Sequence, residues 1–152
     1  MVYLLLSASI CGLDLWIKRW VESRDEECFP IKILGGRIWV RKSHNRGGAF
    51  NILEGRQKLV RRVSVFLLLA SGAGYLLLLA HKGLGLLKTG WALFMGGAAS
   101  NVWDRLRRKY VVDYFSFHVK WKKLRSIVFN LGDLFLFLGA FLVILWNLRR
   151  KS

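Results

Sequence analysis

Long apolar runs alternate with polar, basic segments along the 152 residues of the chain. A run of about 20 mostly apolar residues is long enough to cross a bilayer as a helix. Four runs approach this length, and we predict a transmembrane helix in each: residues 1–20, 63–80, 84–103 and 127–146. The fold class expected from this pattern is an α-helical membrane protein that forms a single domain over residues 1–152.

The first run is expected to remain in the protein rather than to be removed as a signal peptide. It lacks a basic N-terminal region, and Asp14 interrupts it. Lys18 follows Asp14 by four residues, so both side chains lie on one face of a helix, where they can pair. Two interpretations stay open, a salt bridge at a helix end and a direct role in a functional site.

Two polar segments, residues 21–62 and 104–126, are expected to lie outside the membrane. An even number of spans places both on one face, and both termini on the other. The stretches "IKILGG" and "RIWVRKS" predict a β-hairpin that turns at Gly35 and Gly36. The second segment is also partly strand-like, so we predict a small extramembrane β platform over a four-helix bundle.

The formal net charge is +16, from 25 basic and only 9 acidic residues. These charges are excluded from the apolar runs rather than interleaved with them, which argues against nucleic acid as a partner. Twelve Lys and Arg lie in residues 18–62 and eight in residues 104–126. The positive-inside rule would place these segments in the cytoplasm.

Neither the cysteines nor the histidines indicate a metal site or a disulfide framework. Cys11 and Cys28 lie in different environments without the spacing of metal ligands, and the three histidines are scattered. These residues therefore give no pattern of metal ligands.

Polar residues also occur at the end of the third run and at the start of the fourth. "GGAASNVWDR" places Asn101 three residues before Asp104, and Asp104 is expected to pair with Arg105 at the membrane interface. Its glycines permit close helix packing. "FNLGD" repeats the spacing with Asn130 and Asp133, which puts both on one face of the predicted helix, and we expect Asp133 about six residues inside the fourth span.

Asp113, in the strand-like stretch "VVDYF", is a second acid that is expected to lie close to the start of the fourth span. The segment after it must return to the head of that span, so Asp113 and Asp133 are expected to meet near one membrane face. Two carboxylates that share a site do not both ionise easily, and one keeps a proton. Such a pair can activate water for attack on an amide and protonate the leaving nitrogen. A purely structural role for Asp133 and a surface position for Asp113 are the alternatives.

The stretch "HNRGGAFNI" after the hairpin contains a further candidate for substrate binding. Asn45 is able to hydrogen-bond a peptide main chain, and Gly47 and Gly48 allow a close backbone approach or a positive φ. A plain turn is the other interpretation.

Taken in order, these motifs resemble those of lipoprotein signal peptidases, the signal peptidase II family. Asp14 and Lys18 resemble its Asp-Gln-x-x-Lys element, and "NRGGAF" its Asn-x-Gly-Ala-x-Phe element. "GGAASNVWDR" is similar to Gly-Gly-Ala-x-Gly-Asn-x-x-Asp-Arg, "VVDYF" to Val-Val-Asp-Phe, and "FNLGD" to Phe-Asn-x-Ala-Asp. The chain departs from these elements at Leu15, Gly48, Ser100 and Gly132.

The resemblance implies an aspartyl endopeptidase that cuts diacylglyceryl-modified prolipoproteins before the lipidated cysteine. It implies Asp113 and Asp133 as the catalytic pair, and no metal or cofactor. The residues expected to bind substrate or support the site are Asp14, Lys18, Asn45, Gly47, Asn101, Asp104, Arg105 and Asn130. It also implies a multi-pass protein of the bacterial plasma membrane, with the site toward the outer face and both termini cytoplasmic.

Membrane lipids, anionic ones among them, are expected as partners of the basic outer segments, and the protein is expected to be a monomer. The alternative function is a paralogue that binds lipidated peptides without cleaving them. A charge-driven binder of anionic lipid or nucleic acid would explain the net charge, but not the acids within the apolar runs.

Overall fold

The computed structural model describes residues 1–48, 53–121 and 125–151. This part of the chain forms long helices and a three-stranded antiparallel sheet. The elements in chain order are α1 (Val2–Glu22), β1 (Ile31–Ile33), β2 (Ile38–Asn45), α2 (Gln57–Ala80), α3 (Gly85–Arg107), β3 (Val111–Phe117) and α4 (Leu131–Lys151). Three of the four helices begin or end within a few residues of the predicted runs, and α2 begins six residues earlier than predicted.

The sheet has the order β1-β2-β3, with both pairs antiparallel. The predicted hairpin is confirmed, because β1 and β2 are joined by a short 3-10 turn in which Gly35 and Gly36 have φ values of 64° and 83°. Glycine adopts such values without steric cost. β2 lies in the centre of the sheet, and its pairing with β3 shifts register between Val40 and Ser43. The small β platform predicted from the sequence is therefore present.

The last helix begins at Leu131, four residues later than predicted. Phe129 is held in an extended conformation at the edge of the sheet, where its N–H donates to the Phe115 carbonyl (2.7 Å) and its carbonyl accepts from the Phe115 N–H (2.9 Å). This pairing delays the helix. The predicted depth of Asp133 was wrong, since it is the third residue of α4 rather than six residues inside a span.

Two helices in the described ranges are long and apolar enough to cross a membrane, over Gln57–Ala80 and Leu131–Arg150. Their mean hydropathies are 2.2 and 2.0. Large apolar side chains on both are exposed, including Phe66 and Leu77 on α2 and Phe141 on α4. The other two helices, α1 and α3, bury charged side chains inside the protein instead.

Helix α3 is the centre of the helical layer, and glycines allow its neighbours to approach closely. A Cβ atom at Gly96 would lie 2.8 Å from the Ser7 carbonyl oxygen of α1. A Cβ atom at Gly97 would overlap with the Gly132 carbonyl of α4, and one at Gly139 would overlap with the backbone of α3. The close helix packing predicted from "GGAAS" is confirmed by these contacts.

Replacing Gly139 with Ala is expected to lower the melting temperature of the purified protein by several degrees. The added methyl group would meet backbone atoms of α3, which cannot move aside by a change of rotamer, and overpacking of this kind costs about 1–3 kcal/mol. Gly74→Ala is the matched control, because nothing lies within 4 Å of a Cβ atom there. In a helix that change should stabilise by roughly 0.5–1 kcal/mol. Equal melting temperatures for the two variants would contradict the packing described here.

Candidate active site

Asp113 and Asp133 are brought together by the residue that precedes α4. The Asn130 side-chain amide donates to Asp113 Oδ1 (2.7 Å), and the Asn130 backbone N–H donates to Asp133 Oδ2 (3.2 Å). Asp113 lies in β3 with only 4% of its surface exposed, whereas Asp133 is half-buried. The two acids predicted to meet, the Asp113–Asp133 dyad, therefore share one fully buried asparagine.

The Asn-x-x-Asp spacing of "FNLGD" works as a helix cap. Asn130 Oδ1 accepts from the Asp133 N–H (2.8 Å), while Asp133 Oδ2 accepts from the Asn130 N–H. This reciprocal pair is a capping box, which satisfies two backbone donors at the start of a helix. The sequence interpretation put both residues on one face of a continuing helix. In the structure Asn130 precedes α4, and the two side chains bind each other's backbone.

Each carboxylate accepts a further hydrogen bond from a different asparagine. The Asn45 amide donates to Asp113 Oδ2 (3.2 Å), and the Asn101 amide donates to Asp133 Oδ1 (2.8 Å). Asn45 Oδ1 also accepts from the Gly47 N–H (3.0 Å), so this asparagine joins the end of β2 to the site. Ala49 and Phe50 of the same motif lie outside the described residues.

Arg105 and Asp104 do not form the predicted ion pair. Arg105 instead donates to the carbonyl oxygens of Gly47 (3.0 Å) and Asn101 (3.3 Å). Asp104 is fully buried and pairs with Lys18 (3.3 Å) and with Arg108 (3.5 Å), the residue that follows α3. Residues three or four apart share a helix face, whereas adjacent residues point in different directions, which is why Arg105 faces the site and Asp104 faces α1.

Asp104 also ties β3 to the end of α3. Its Oδ2 accepts from the Val112 N–H (3.1 Å), the residue next to Asp113. The position of one acid in the dyad is thereby fixed from the helix that carries Asn101.

Lys18 lies at the centre of a buried polar cluster behind the dyad. Its ammonium group contacts Asp14 (2.8 Å), which confirms the predicted pair, and it donates to Ser100 Oγ (3.1 Å) and to Asn101 Oδ1 (2.8 Å). Because the oxygen of the Asn101 amide binds Lys18, its nitrogen is directed toward Asp133. The cluster thus sets the orientation of a group that contacts the dyad.

Two residues in this cluster were not identified as site residues from the sequence. Ser100 donates to Asp14 Oδ2 (2.5 Å), and Tyr114 donates to Asp14 Oδ1 (2.9 Å) while accepting from the Leu131 N–H (2.9 Å). Successive side chains of a strand point to opposite faces, so Tyr114 lies on the sheet face opposite to Asp113, toward α1. This alternation was the signal in the sequence that could have identified Tyr114. In the sequence Ser100 was distinguished only as a departure from the motif that the chain resembles, and this did not indicate a role in the site.

Gly132 lies where a larger residue would press on the same cluster. A Cβ atom there would be 2.9 Å from Asp14 Oδ2, 3.0 Å from Asn130 Oδ1 and 3.1 Å from the Gly97 carbonyl oxygen. Of the other departures, Gly48 accepts a hydrogen bond from Asn45 (3.2 Å), and nothing in the structure explains Leu15.

The pKa of Asp113 is raised to about 7. Burial is the main cause and the negative charge of Asp133 adds to it, against the opposing effect of the hydrogen bonds from Asn130 and Asn45. Asp113 is therefore a carboxyl group that still holds its proton close to neutral pH, beside a second carboxylate.

A pocket of about 490 Å³ opens beside the dyad. Polar groups of Asn45, Asn101 and Arg105 line it near the carboxylates, and apolar side chains from three helices line the remainder: Leu67, Leu68, Phe94, Leu136 and Phe137. Two carboxyl groups lie at the polar end of an apolar slot, an arrangement that suits hydrolysis of a bond within an amphipathic molecule.

Comparison with known proteins gives a consistent picture over nearly the full chain. A family model described as signal peptidase (SPase) II matches residues 6–149. The chain is 35% identical to the lipoprotein signal peptidase of Caldicellulosiruptor bescii over 94% of its length and 88% of that protein. It is 32% identical to the lipoprotein signal peptidase of Clostridioides difficile over 100% of its length and 98% of that protein. A solved structure of a bacterial membrane enzyme has the same fold, with a TM-score of 0.83 at 19% identity, covering 99% of this chain and 90% of that one.

The raised pKa of Asp113 is testable by infrared difference spectroscopy of the purified protein. The wild-type spectrum minus that of Asp113→Asn should contain a protonated-carboxyl band that disappears as pH rises, with a midpoint near the pKa of about 7. In Asp133→Asn the midpoint should move to lower pH, because the charge that disfavours ionisation of Asp113 is gone. Asp25→Asn, at an exposed acid far along the chain, should leave the band unchanged. A band already absent at pH 5 would contradict the assignment.

Proposed function

The chain belongs to the signal peptidase II family, an aspartic peptidase family that removes signal peptides from prolipoproteins, and we propose that Asp113 and Asp133 are its catalytic dyad. The observation that carries this proposal is the shared contact with Asn130, which holds both carboxylates beside one pocket. The alternative of a binding protein without activity is not favoured, because both acids and all three asparagine donors are in place.

The surroundings of the two acids divide their roles. Asp133 lies in the first turn of α4, where the positive end of the helix dipole and two N–H donors favour the anion. Asp113, with its raised pKa, keeps its proton. In the proposed mechanism Asp133 is the base that accepts a proton from water, and Asp113 is the acid that hydrogen-bonds the carbonyl oxygen of the scissile bond.

The reaction then proceeds with both protons accounted for. The water oxygen bonds to the carbonyl carbon, its proton passes to Asp133, and Asp113 stabilises the developing oxyanion. When the C–N bond breaks, Asp133 delivers its proton to the leaving nitrogen, the second water proton stays on the new carboxyl group, and Asp113 retains its own proton throughout. Asp133 therefore acts first as the base and then as the acid, while Asp113 stays protonated.

The pocket fits a substrate that carries both a peptide and a lipid. We assign its apolar part, between α2, α3 and α4, to the diacylglyceryl chains of the modified cysteine. Asn45, Gly47 and Arg105 lie at the polar end, where the peptide main chain would pass. Cleavage before the lipidated cysteine follows if the dyad meets the peptide where the two parts of the pocket join.

We assign all four helices to the membrane, with the active site toward the outer face and both termini in the cytoplasm of a bacterium. The C-terminal ends of α1 and α3, the start of α4 and the sheet all meet at the dyad, so the site lies at one end of the bundle. The buried charges of α1 and α3 face protein rather than lipid. Exported substrates reach this site only from outside the cell.

Aromatic and basic side chains lie together at the same end of the bundle. Arg24 lies 5.2 Å from the Trp20 ring, Arg107 lies 5.2 Å from the Trp103 ring, and Arg41 lies 5.2 Å from the Trp39 ring. Tryptophan favours the membrane interface, and nearby cations attract anionic headgroups. We therefore assign the basic rim to contact with anionic lipids, which accounts for the charge bias of the outer segments, and we expect a monomer.

Asp113→Asn and Asp133→Asn should each reduce cleavage of a diacylglyceryl-modified prolipoprotein by at least roughly 100-fold, because each removes one member of the acid–base pair. The measurement is a gel-shift assay with purified protein in lipid. Asp25→Asn is the control, since it makes the same chemical change at an exposed acid outside the site. Near-normal cleavage by either dyad variant would show that the mechanism is wrong.

The orientation is tested by labelling single cysteines in intact cells with a reagent that does not cross the membrane. In a chain without Cys11 and Cys28, Lys120→Cys should be labelled from outside, and Lys82→Cys, in the turn at the opposite end, should be labelled only after lysis. Both positions are exposed, so accessibility does not differ for other reasons. Labelling of Lys82→Cys alone in intact cells would show that the orientation is the reverse of the one proposed.

A further inference from the structure

Asp14 is the meeting point of two hydroxyl groups that the proposed mechanism does not use. Its carboxylate accepts from Lys18 and Ser100 on one oxygen and from Tyr114 on the other. Asp14 and Ser100 are fully buried, and Tyr114 is 6% exposed. Three elements therefore converge on one side chain: α1 supplies the carboxylate, α3 the serine and β3 the tyrosine.

The Tyr114 hydroxyl also contacts the helix that carries Asp133. It accepts a hydrogen bond from the N–H of Leu131, the first residue of α4 (2.9 Å). The first N–H groups of a helix have no acceptor within it, so an external oxygen there decides how the helix begins. Because burial and the Asp14 charge raise the pKa of Tyr114, the hydroxyl keeps its proton for Asp14 and offers its lone pair to Leu131.

Only a few contacts separate the Asp14 carboxylate from the Asp133 carboxylate. Leu131 lies two residues before Asp133, and the capping box links Asp133 to Asn130 on the other side of Leu131. Gly132, between them, leaves no room for a side chain against Asp14 Oδ2. A shift of Asp14 or Tyr114 must therefore move the first turn of α4 and the carboxylate within it.

We propose that Ser100 and Tyr114 are positioning residues for Asp133, acting together through Asp14 on the first turn of α4. Ser100 fixes one oxygen of Asp14, and Tyr114 connects the other oxygen to the backbone of Leu131. The element that "GGAASNVWDR" resembles has Gly at position 100, so the Ser100 hydroxyl is a feature in which this chain differs from it. The proposal rests on the proposed role of Asp133.

The test compares Tyr114→Phe, Ser100→Ala and the double variant with wild type, using the full-length protein in lipid vesicles and a synthetic diacylglyceryl-modified peptide. Turnover is divided by the fraction of protein that binds a non-cleavable analogue of that peptide, so that misfolded molecules do not count. Tyr114→Phe should lower kcat by roughly 10-fold or more with little change in KM, because the substrate still binds and the base is misplaced.

The matched control is Tyr110→Phe, which also removes a hydroxyl next to β3. That hydroxyl donates to Glu22 at the end of α1 (2.9 Å) rather than to Asp14, so kcat should stay near the wild-type value. The double variant should lose no more than Tyr114→Phe alone, since both residues act through the same carboxylate.

The possible failures are distinguishable. If Asp133→Asn is inactive but Tyr114→Phe has the same kcat as Tyr110→Phe, the positioning role is overturned and the dyad stands. If the effects of Ser100→Ala and Tyr114→Phe multiply, the shared route through Asp14 is overturned. If Asp133→Asn itself retains activity, the proposed function fails first.

Discussion

The ammonium group of Lys18 is the interaction on which the rest of the site depends. It is fully buried, and its partners are Asp14, Asp104, Ser100 and Asn101. A buried charge is tolerated only when it is paired and hydrogen-bonded, and removing one partner of such a pair typically costs about 3–5 kcal/mol. The requirement to satisfy this one group therefore fixes how α1 lies against α3.

The consequences of that requirement reach both acids of the dyad by separate routes. Asn101 binds Lys18 through its oxygen and Asp133 through its nitrogen. Asp104 binds Lys18 and the backbone of β3 next to Asp113. The polar groups that surround the carboxylates are thus held in place before any substrate binds, and preorganised donors of this kind cost no reorganisation during the reaction.

The sequence predicted the elements well and the connections between them poorly. The apolar runs, the Gly35-Gly36 turn and the Asp14–Lys18 spacing are local signals, and each one corresponds to an observed helix, hairpin or ion pair. The start of α4 depends on Phe129 pairing with Phe115, a contact between residues that no local pattern relates. The partners of Asp104 and the roles of Ser100 and Tyr114 likewise depend on which helix faces which, and a hydropathy pattern does not encode that.

The glycines and the buried charges are two parts of one arrangement. Gly97 and Gly132 let α3 and α4 approach until their backbones touch, which excludes water from the space beside Asp14. Exclusion of water strengthens every hydrogen bond in the cluster and raises the cost of leaving any member unpaired. Close packing of the helices and the contacts of Lys18 therefore depend on each other, because the glycines bring the backbones together and the hydrogen bonds satisfy the polar groups that this packing buries.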